Sequence, residues 1–227
     1  MLPVMTPRTA TDPVTVVVAG DAGFGIALVE HLARRSDGDV VLLPAFDEVD
    51  DATASLRALG SVTAVVHVCG DDASLTSPQP LAATEPDAWA TGCERVLWRA
   101  VTSLQAAHTA LSRRDGGRIV VVTATAGVSG APHAVPFVCA IEGVRSMAKS
   151  AGRQWGAAGI AVNCVSVPLA LLAPDHAALT SFLPPAAIPR DDPIDDVAGA
   201  IEFLSGPGAQ GISGATLVVD GGAVMAP

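Results

Sequence analysis

Residues 14–25 read VTVVVAGDAGFG, and this stretch decides the fold. Its first six residues are mostly β-branched and apolar without alternation, which is typical of a strand covered on both faces. Gly20, Gly23 and Gly25 then allow the backbone to turn tightly into a helix, whose apolar residues recur with the helical period over residues 26–32. A strand, a glycine turn and a helix in this order predict the first unit of a doubly wound α/β sheet.

The same alternation of strand and helix continues along the rest of the chain, and one soluble domain of this class accommodates it. The predicted strands are Val14–Ala19, Val40–Leu43, Val62–Cys69, Arg118–Thr123, Ile160–Val165 and Thr216–Val219. The predicted helices are Gly25–Ser36, Asp51–Leu59, Asp87–Arg114, Val135–Gly156 and Asp195–Leu204. Only one helix fits between the second and third strands, so we expect a shortened connection that lacks a complete βαβ unit. The expectation is a mostly parallel Rossmann-type domain over residues 13–227, behind a disordered or extended tail at 1–12.

Composition restricts the partners that the chain can have. Half of the residues are apolar and 16% are charged, so a large core is easily buried and exposed apolar surface favours oligomers. The formal charge of −10 argues against nucleic acid and anionic membrane surfaces. The four cysteines show no metal-ligand spacing, and we predict reduced core thiols in a cytoplasmic protein without a metal site.

The glycine turn is a candidate for phosphate binding, because free N–H groups and the helix dipole favour negative charge at a helix N-terminus. Gly20, Gly23 and Gly25 would let a pyrophosphate approach, but Asp21 puts a carboxylate there that can cap the helix itself. Dinucleotide binding and a bare turn both remain open. The second strand ends near Pro44 without an acidic residue to hold a ribose.

Several motifs in the C-terminal half resemble the short-chain dehydrogenase/reductase family. They are Gly159-Ile160-Ala161-Val162-Asn163, Ile188-Pro189-Arg190, Asp195-Asp196-Val197-Ala198, Phe203-Leu204-Ser205, Ile212-Ser213-Gly214 and Val219-Asp220-Gly221-Gly222. The resemblance implies a serine, a tyrosine, a lysine and an asparagine that act on substrate and cofactor. On this frame the four positions hold Ala124, Phe137, Ile141 and about Val96, and the chain contains no tyrosine.

The resemblance therefore implies a degenerate member of the family, since phenylalanine has no O–H to donate and isoleucine carries no charge. The glycine turn is also one residue shorter than the family's, and its Asn-Asn-Ala-Gly motif reads His67-Val68-Cys69-Gly70, where we expect His67 to be a hydrogen-bonded structural residue. Gly70 joins the turn residues as a weak cofactor candidate, and we expect no cofactor.

Three functions follow from this interpretation. The first is a non-catalytic structural or regulatory subunit that pairs with an active paralogue, or with a second copy of itself. The second is an NAD(P)-dependent ketone or alcohol oxidoreductase with a non-standard proton relay. The third is a cofactor-independent cyclase or dehydratase that uses His133 or Cys139, alone or as a thiol–imidazole pair, in the old substrate cleft.

Overall fold

The computed structural model describes residues 12–20, 22–70, 72–75, 78–114, 116–175 and 184–225. Asp21 and nearly all of the predicted N-terminal tail lie outside these residues, so neither prediction about them is tested.

Six strands form a single parallel sheet in the order β2-β1-β3-β4-β5-β6. They are β1 (Val14–Ala19), β2 (Asp39–Pro44), β3 (Val62–Val68), β4 (Gly117–Ala124), β5 (Ile160–Val167) and β6 (Thr216–Val218). Because helices cover both faces, the central strands are buried over nearly their whole length, as their uninterrupted apolar runs predicted. The predicted doubly wound α/β class is confirmed.

In the usual dinucleotide-binding order, two strands lie on one side of the first strand. In this sheet only β2 lies on that side of β1. Between Pro44 and Val62, a stretch described in full, the chain forms only helix α2 (Val49–Ala58) before it crosses back over β1 to β3. The predicted loss of a βαβ unit is therefore confirmed, and β2 becomes an edge strand.

The longer helices form two layers. Helices α1 and α9 pack together on one face of the sheet, and α2, α5 and α7 pack together on the other. The described helices after α2 are α3 (Asp72–Leu75), α4 (Pro86–Trp89), α5 (Arg95–Leu111), α6 (Ala126–Ser129), α7 (Val135–Trp155), α8 (Leu169–Leu172) and α9 (Pro193–Ser205), and α1 covers Ala22–Arg35. Among the described residues, no helix is long and apolar enough to cross a bilayer.

Helix bounds differ from the prediction by a few residues, and two of the differences have a local explanation. Helix α1 begins at Ala22, inside the glycine turn, so Gly23 and Gly25 are part of the helix. The single helix predicted from Asp87 is divided, since a π-helical turn over Ala90–Glu94 separates α4 from α5. At that turn Gly92 allows close packing, because a Cβ there would lie 3.0 Å from Cβ of Pro136.

An ion-pair seam joins α1 to α9. The Arg35 guanidinium donates to both carboxylate oxygens of Asp195, with Nη2 2.7 Å from Oδ2, and Nη1 also donates to Glu202. The Arg35 hydrogen bond lowers the pKa of the Asp195 carboxyl. Val197 and Ile201 of α9 are buried in the core, and α9 packs against α1, so α9 covers one face of α1.

Candidate functional site

The glycine turn brings α1 against the end of β1. A Cβ at Gly25 would lie 2.8 Å from Cβ of Ala19, so glycine is required there for helix and strand to pack this closely. Gly20 and Gly23 are exposed and do not have a positive φ. The packing of the fold thus explains the glycine at position 25.

The end of β2 offers no acidic side chain to a ligand. The strand ends at Pro44, and the nearest carboxylate, Asp47, accepts hydrogen bonds from Nε and Nη2 of Arg99 at 2.6 and 3.1 Å. These bonds lower the pKa of the Asp47 carboxyl. The indole Nε1 of Trp98 also donates to the Asp47 carbonyl at 2.8 Å. Asp47 therefore attaches the loop after β2 to α5.

All four positions that the resemblance assigns to catalysis are buried in one continuous hydrophobic core: Val96 on α5, Ala124 at the end of β4, and Phe137 and Ile141 on α7. Phe137 is 1% exposed and Ile141 is fully buried. The two neighbouring hydroxyls are also buried, and Thr125 donates to the Val167 carbonyl while Thr123 has no partner among the described residues. This part of the structure is packing, with no solvent-facing proton donor.

Phe137 contacts the loop that follows β3. Gly70 has a φ of +92°, and a Cβ built on it would lie 2.7 Å from Cε2 of Phe137. Beyond β5, the buried Leu169 and Leu172 of α8 close the same end of the sheet. The phenylalanine ring therefore occupies space beside a glycine that sequence reasoning had connected with a cofactor.

A cleft of about 360 Å³ opens next to Phe137. Its lining comes from α3, from the segment between α3 and α5, and from the start of α7 with the two residues before it: Ser74, Leu75, Gln79, Thr84, Glu85, Asp87, Ala88, Thr91, Gly92, His133, Ala134, Pro136 and Phe137. This volume is within the range that small-molecule sites occupy. Among the described residues, no arginine or lysine belongs to the lining.

The structure does not bring His133 and Cys139 together in this cleft. His133 lines it, has a φ of +67°, and accepts a hydrogen bond at its carbonyl from the Gln79 N–H at 3.0 Å. Cys139 is exposed on α7 and is absent from the lining. The prediction of four core thiols is wrong for this residue, because position 139 falls on the outer side of the helix. The thiol–imidazole pair has no geometric support.

The remaining three cysteines are buried as predicted, and burial raises the pKa of each thiol, that of Cys164 to about 12. No group of three or more potential metal ligands occurs within the described ranges.

His67 was expected to be a hydrogen-bonded structural residue, and the structure corrects this expectation. The side chain is 2% exposed, and neither ring nitrogen has a hydrogen-bond partner among the described residues. Burial, with a smaller effect of the Arg99 charge, lowers the pKa of His67 to about 4. Arg95 and Arg99 lie beside it, a relationship that sequence reasoning missed because His67 is far from both arginines in the chain.

Comparison with known proteins decides the family. The model of the family described as enoyl-(acyl carrier protein) reductase matches residues 24–224, which is most of the chain. The chain belongs to the short-chain dehydrogenase/reductase family. Among curated relatives, the 3-oxoacyl-[acyl-carrier-protein] reductase of Synechocystis sp. is 25% identical over 96% of this chain and 83% of its own length. MabA of Mycobacterium avium, a reductase of the same description, is 29% identical over 92% of this chain and 89% of its own.

Solved structures of short-chain dehydrogenases/reductases share this fold. A short-chain type dehydrogenase/reductase from Mycobacterium ulcerans superposes with a TM-score of 0.72 at 20% identity, over 94% of this chain and 90% of its own. ElxO, solved with NADP bound, gives 0.75 at 16% identity, over 94% and 99%. Because relatives of this kind are reductases and one neighbour holds NADP, the comparisons do not support the expectation that the chain binds no cofactor.

Proposed function

We propose that this short-chain dehydrogenase/reductase is a non-catalytic subunit that assembles with an active member of its family. The observation that carries the proposal is the buried Phe137 at the position where the resemblance implies a tyrosine, in a chain that has no tyrosine at all. Ile141, one helical turn further, has no charge to stabilise a phenolate. A positioned proton donor contributes roughly 10²- to 10⁴-fold to such reactions, and its loss removes that contribution.

The proposed loss of activity follows from the missing proton donor. The residues at the glycine turn and beside Gly70 fit a dinucleotide only in part. Gly25 keeps the close packing of helix and strand that a phosphate-binding turn needs. At the other positions the fit fails, because the Asp47 carboxylate is held by Arg99 and the Phe137 ring lies against Gly70. A dinucleotide bound at the turn would supply a hydride, but the residues at the four implied catalytic positions have no group that would deliver the proton.

Exposed apolar side chains support assembly. Trp98 is 52% exposed on α5, Phe203 is 48% exposed on α9, and Leu217 and Val218 are about 40% exposed on the edge strand β6. Large apolar side chains at several separate surfaces favour contacts with other subunits over a monomer. Since the curated relatives are 3-oxoacyl-[acyl-carrier-protein] reductases, the proposed partner is an active reductase of that class.

Co-expression tests this proposal. A tagged active reductase of the family from the same genome is expected to co-purify with this chain in a fixed ratio, measured by native mass spectrometry. The Trp98→Asp variant should weaken the complex, whereas Leu81→Asp, at a residue 67% exposed outside these surfaces, serves as the matched control. The idea fails if the chain alone oxidises NADPH or NADH in the presence of a 3-oxoacyl thioester, or if no mixed oligomer forms with any such reductase.

The second candidate is an NAD(P)-dependent reductase with an unusual relay, and the family relatives favour it. Isothermal titration with NADPH and NADH at millimolar concentration, together with an activity assay, distinguishes the two candidate functions. Binding together with turnover supports the second candidate. Binding without turnover leaves the non-catalytic proposal standing.

A further inference from the structure

A small polar cavity lies beside Gly70 at the carboxyl end of the sheet. It measures about 10 Å³ and is lined by Ala45, His67, Val68, Gly70, Arg95, Val96 and Arg99. This volume holds about one water-sized particle. Its place beside the junction of β1 and β3, where the strand order reverses, is where ligands bind in doubly wound sheets.

The His67 ring is the unexplained group in this cavity. A neutral imidazole carries one N–H donor and one acceptor. Both nitrogens are buried, and within the described residues neither has a hydrogen-bond partner. Leaving a buried donor without a partner costs free energy, so native structures rarely do so without a bound water or ion.

The polar part of the lining is cationic. Arg95 and Arg99 approach from α5, and no carboxylate belongs to the described lining. Asp47 accepts hydrogen bonds from Arg99, and its pKa is lowered mainly by Arg99 with a smaller effect of Arg95, so both guanidinium groups are positioned around this loop. A particle in the cavity therefore meets two guanidinium groups and the buried His67 ring within a partly desolvated space, where electrostatic attraction is strong.

We propose that this cavity is a binding site for one halide ion, with chloride as the physiological ligand. Chloride is only slightly larger than water, carries the charge that the arginines favour, and accepts the N–H of His67. Phosphate and sulfate are excluded by size, because their four oxygens cannot enter a space of one water-sized particle. The site is separate from the proposed assembly function and does not depend on it.

Bromide provides the decisive experiment. In crystals grown without halide and soaked in sodium bromide, an anomalous peak is expected between the His67 ring and the Arg95 and Arg99 side chains. Density without an anomalous signal at this position would identify water and overturn the proposal. A parallel soak in sodium sulfate should leave the cavity without sulfate, and sulfate bound there would also contradict it.

Chlorine-35 NMR tests the same site in solution. The wild-type chain is expected to broaden the chloride resonance, and bromide should reverse the broadening by competition. His67→Leu should reduce the broadening to the level of His67-independent background, whereas His108→Leu, at a ring 4.7 Å from that of Trp155 and outside the cavity, should keep it. Equal broadening by both variants would refute the assignment. If His67→Leu does not fold, the bromide soak of the wild type still decides the question.

Discussion

Phe137 lies so close to Gly70 that the smallest possible side chain at position 70 would overlap the ring, at 2.7 Å from Cε2. Gly70→Ala should therefore destabilise the protein by about 2–4 kcal/mol, from a strained positive φ and from overpacking. Urea unfolding measures this cost. Gly214→Ala is the matched control, because it has a φ of +77° but only ordinary contacts near 3.8 Å, and should cost about 1–2 kcal/mol.

The double variant Gly70→Ala with Phe137→Leu separates the two effects. Its loss of unfolding free energy should be smaller than the sum of the losses in the two single variants, because the smaller side chain at position 137 relieves the overlap. Strict additivity would show that the ring and the glycine do not interact.

Position 141 should tolerate another apolar side chain of similar size but not a charged one. Ile141→Met is expected to cost less than about 1.5 kcal/mol, whereas Ile141→Lys should cost about 3–5 kcal/mol, because the position is fully buried in apolar surroundings. Thermal and urea unfolding compare the two. A lysine variant as stable as the methionine variant would mean that solvent or a carboxylate reaches position 141, and the burial of the implied catalytic positions would have to be abandoned.

The buried His67 predicts a specific loss of stability in acid. Its pKa is lowered from 6.5 to about 4, so the unfolded chain takes up this proton before the folded chain does. The contribution is fully present above about pH 6.5 and disappears as the pH falls through about 4, a difference of roughly 3 kcal/mol. His67→Leu in halide-free buffer should flatten this part of the curve relative to the wild type. Identical pH dependence would show that the ring titrates normally.

Thiol reactivity should distinguish one cysteine from the other three. Cys139 is exposed, whereas Cys69, Cys93 and Cys164 are buried with raised pKa values, and the thiolate is the reactive form. We expect Ellman's reagent to label one thiol rapidly in the native protein and four after denaturation. The Cys139→Ser variant should lose the rapid phase, and its persistence would place a different thiol at the surface.

The fold could be predicted because its signals are local. Apolar runs located every described strand to within two residues at each end, and the spacing between Val40 and Val62 predicted the missing unit. The candidate functional site was harder to predict from the sequence, because its important contacts join distant segments of the chain. Nothing around His67 in the chain indicates that two arginines on α5 lie beside it, and nothing at Cys139 shows which side of α7 faces outward. The family resemblance did imply apolar residues at the catalytic positions, but only the structure shows how Phe137 contacts Gly70.

The ion pairs between Arg35 and helix α9 have a consequence for biosynthesis. Arg35 precedes Asp195 by 160 residues and Glu202 by 167 residues in the chain. Since domains form from the N-terminal side as the chain emerges from the ribosome, the nascent protein holds α1 without its cover until α9 has been translated. Ribosome-bound chains that stop before Pro193 should therefore expose the apolar underside of α1 to chaperones, and the emergence of α9 covers it.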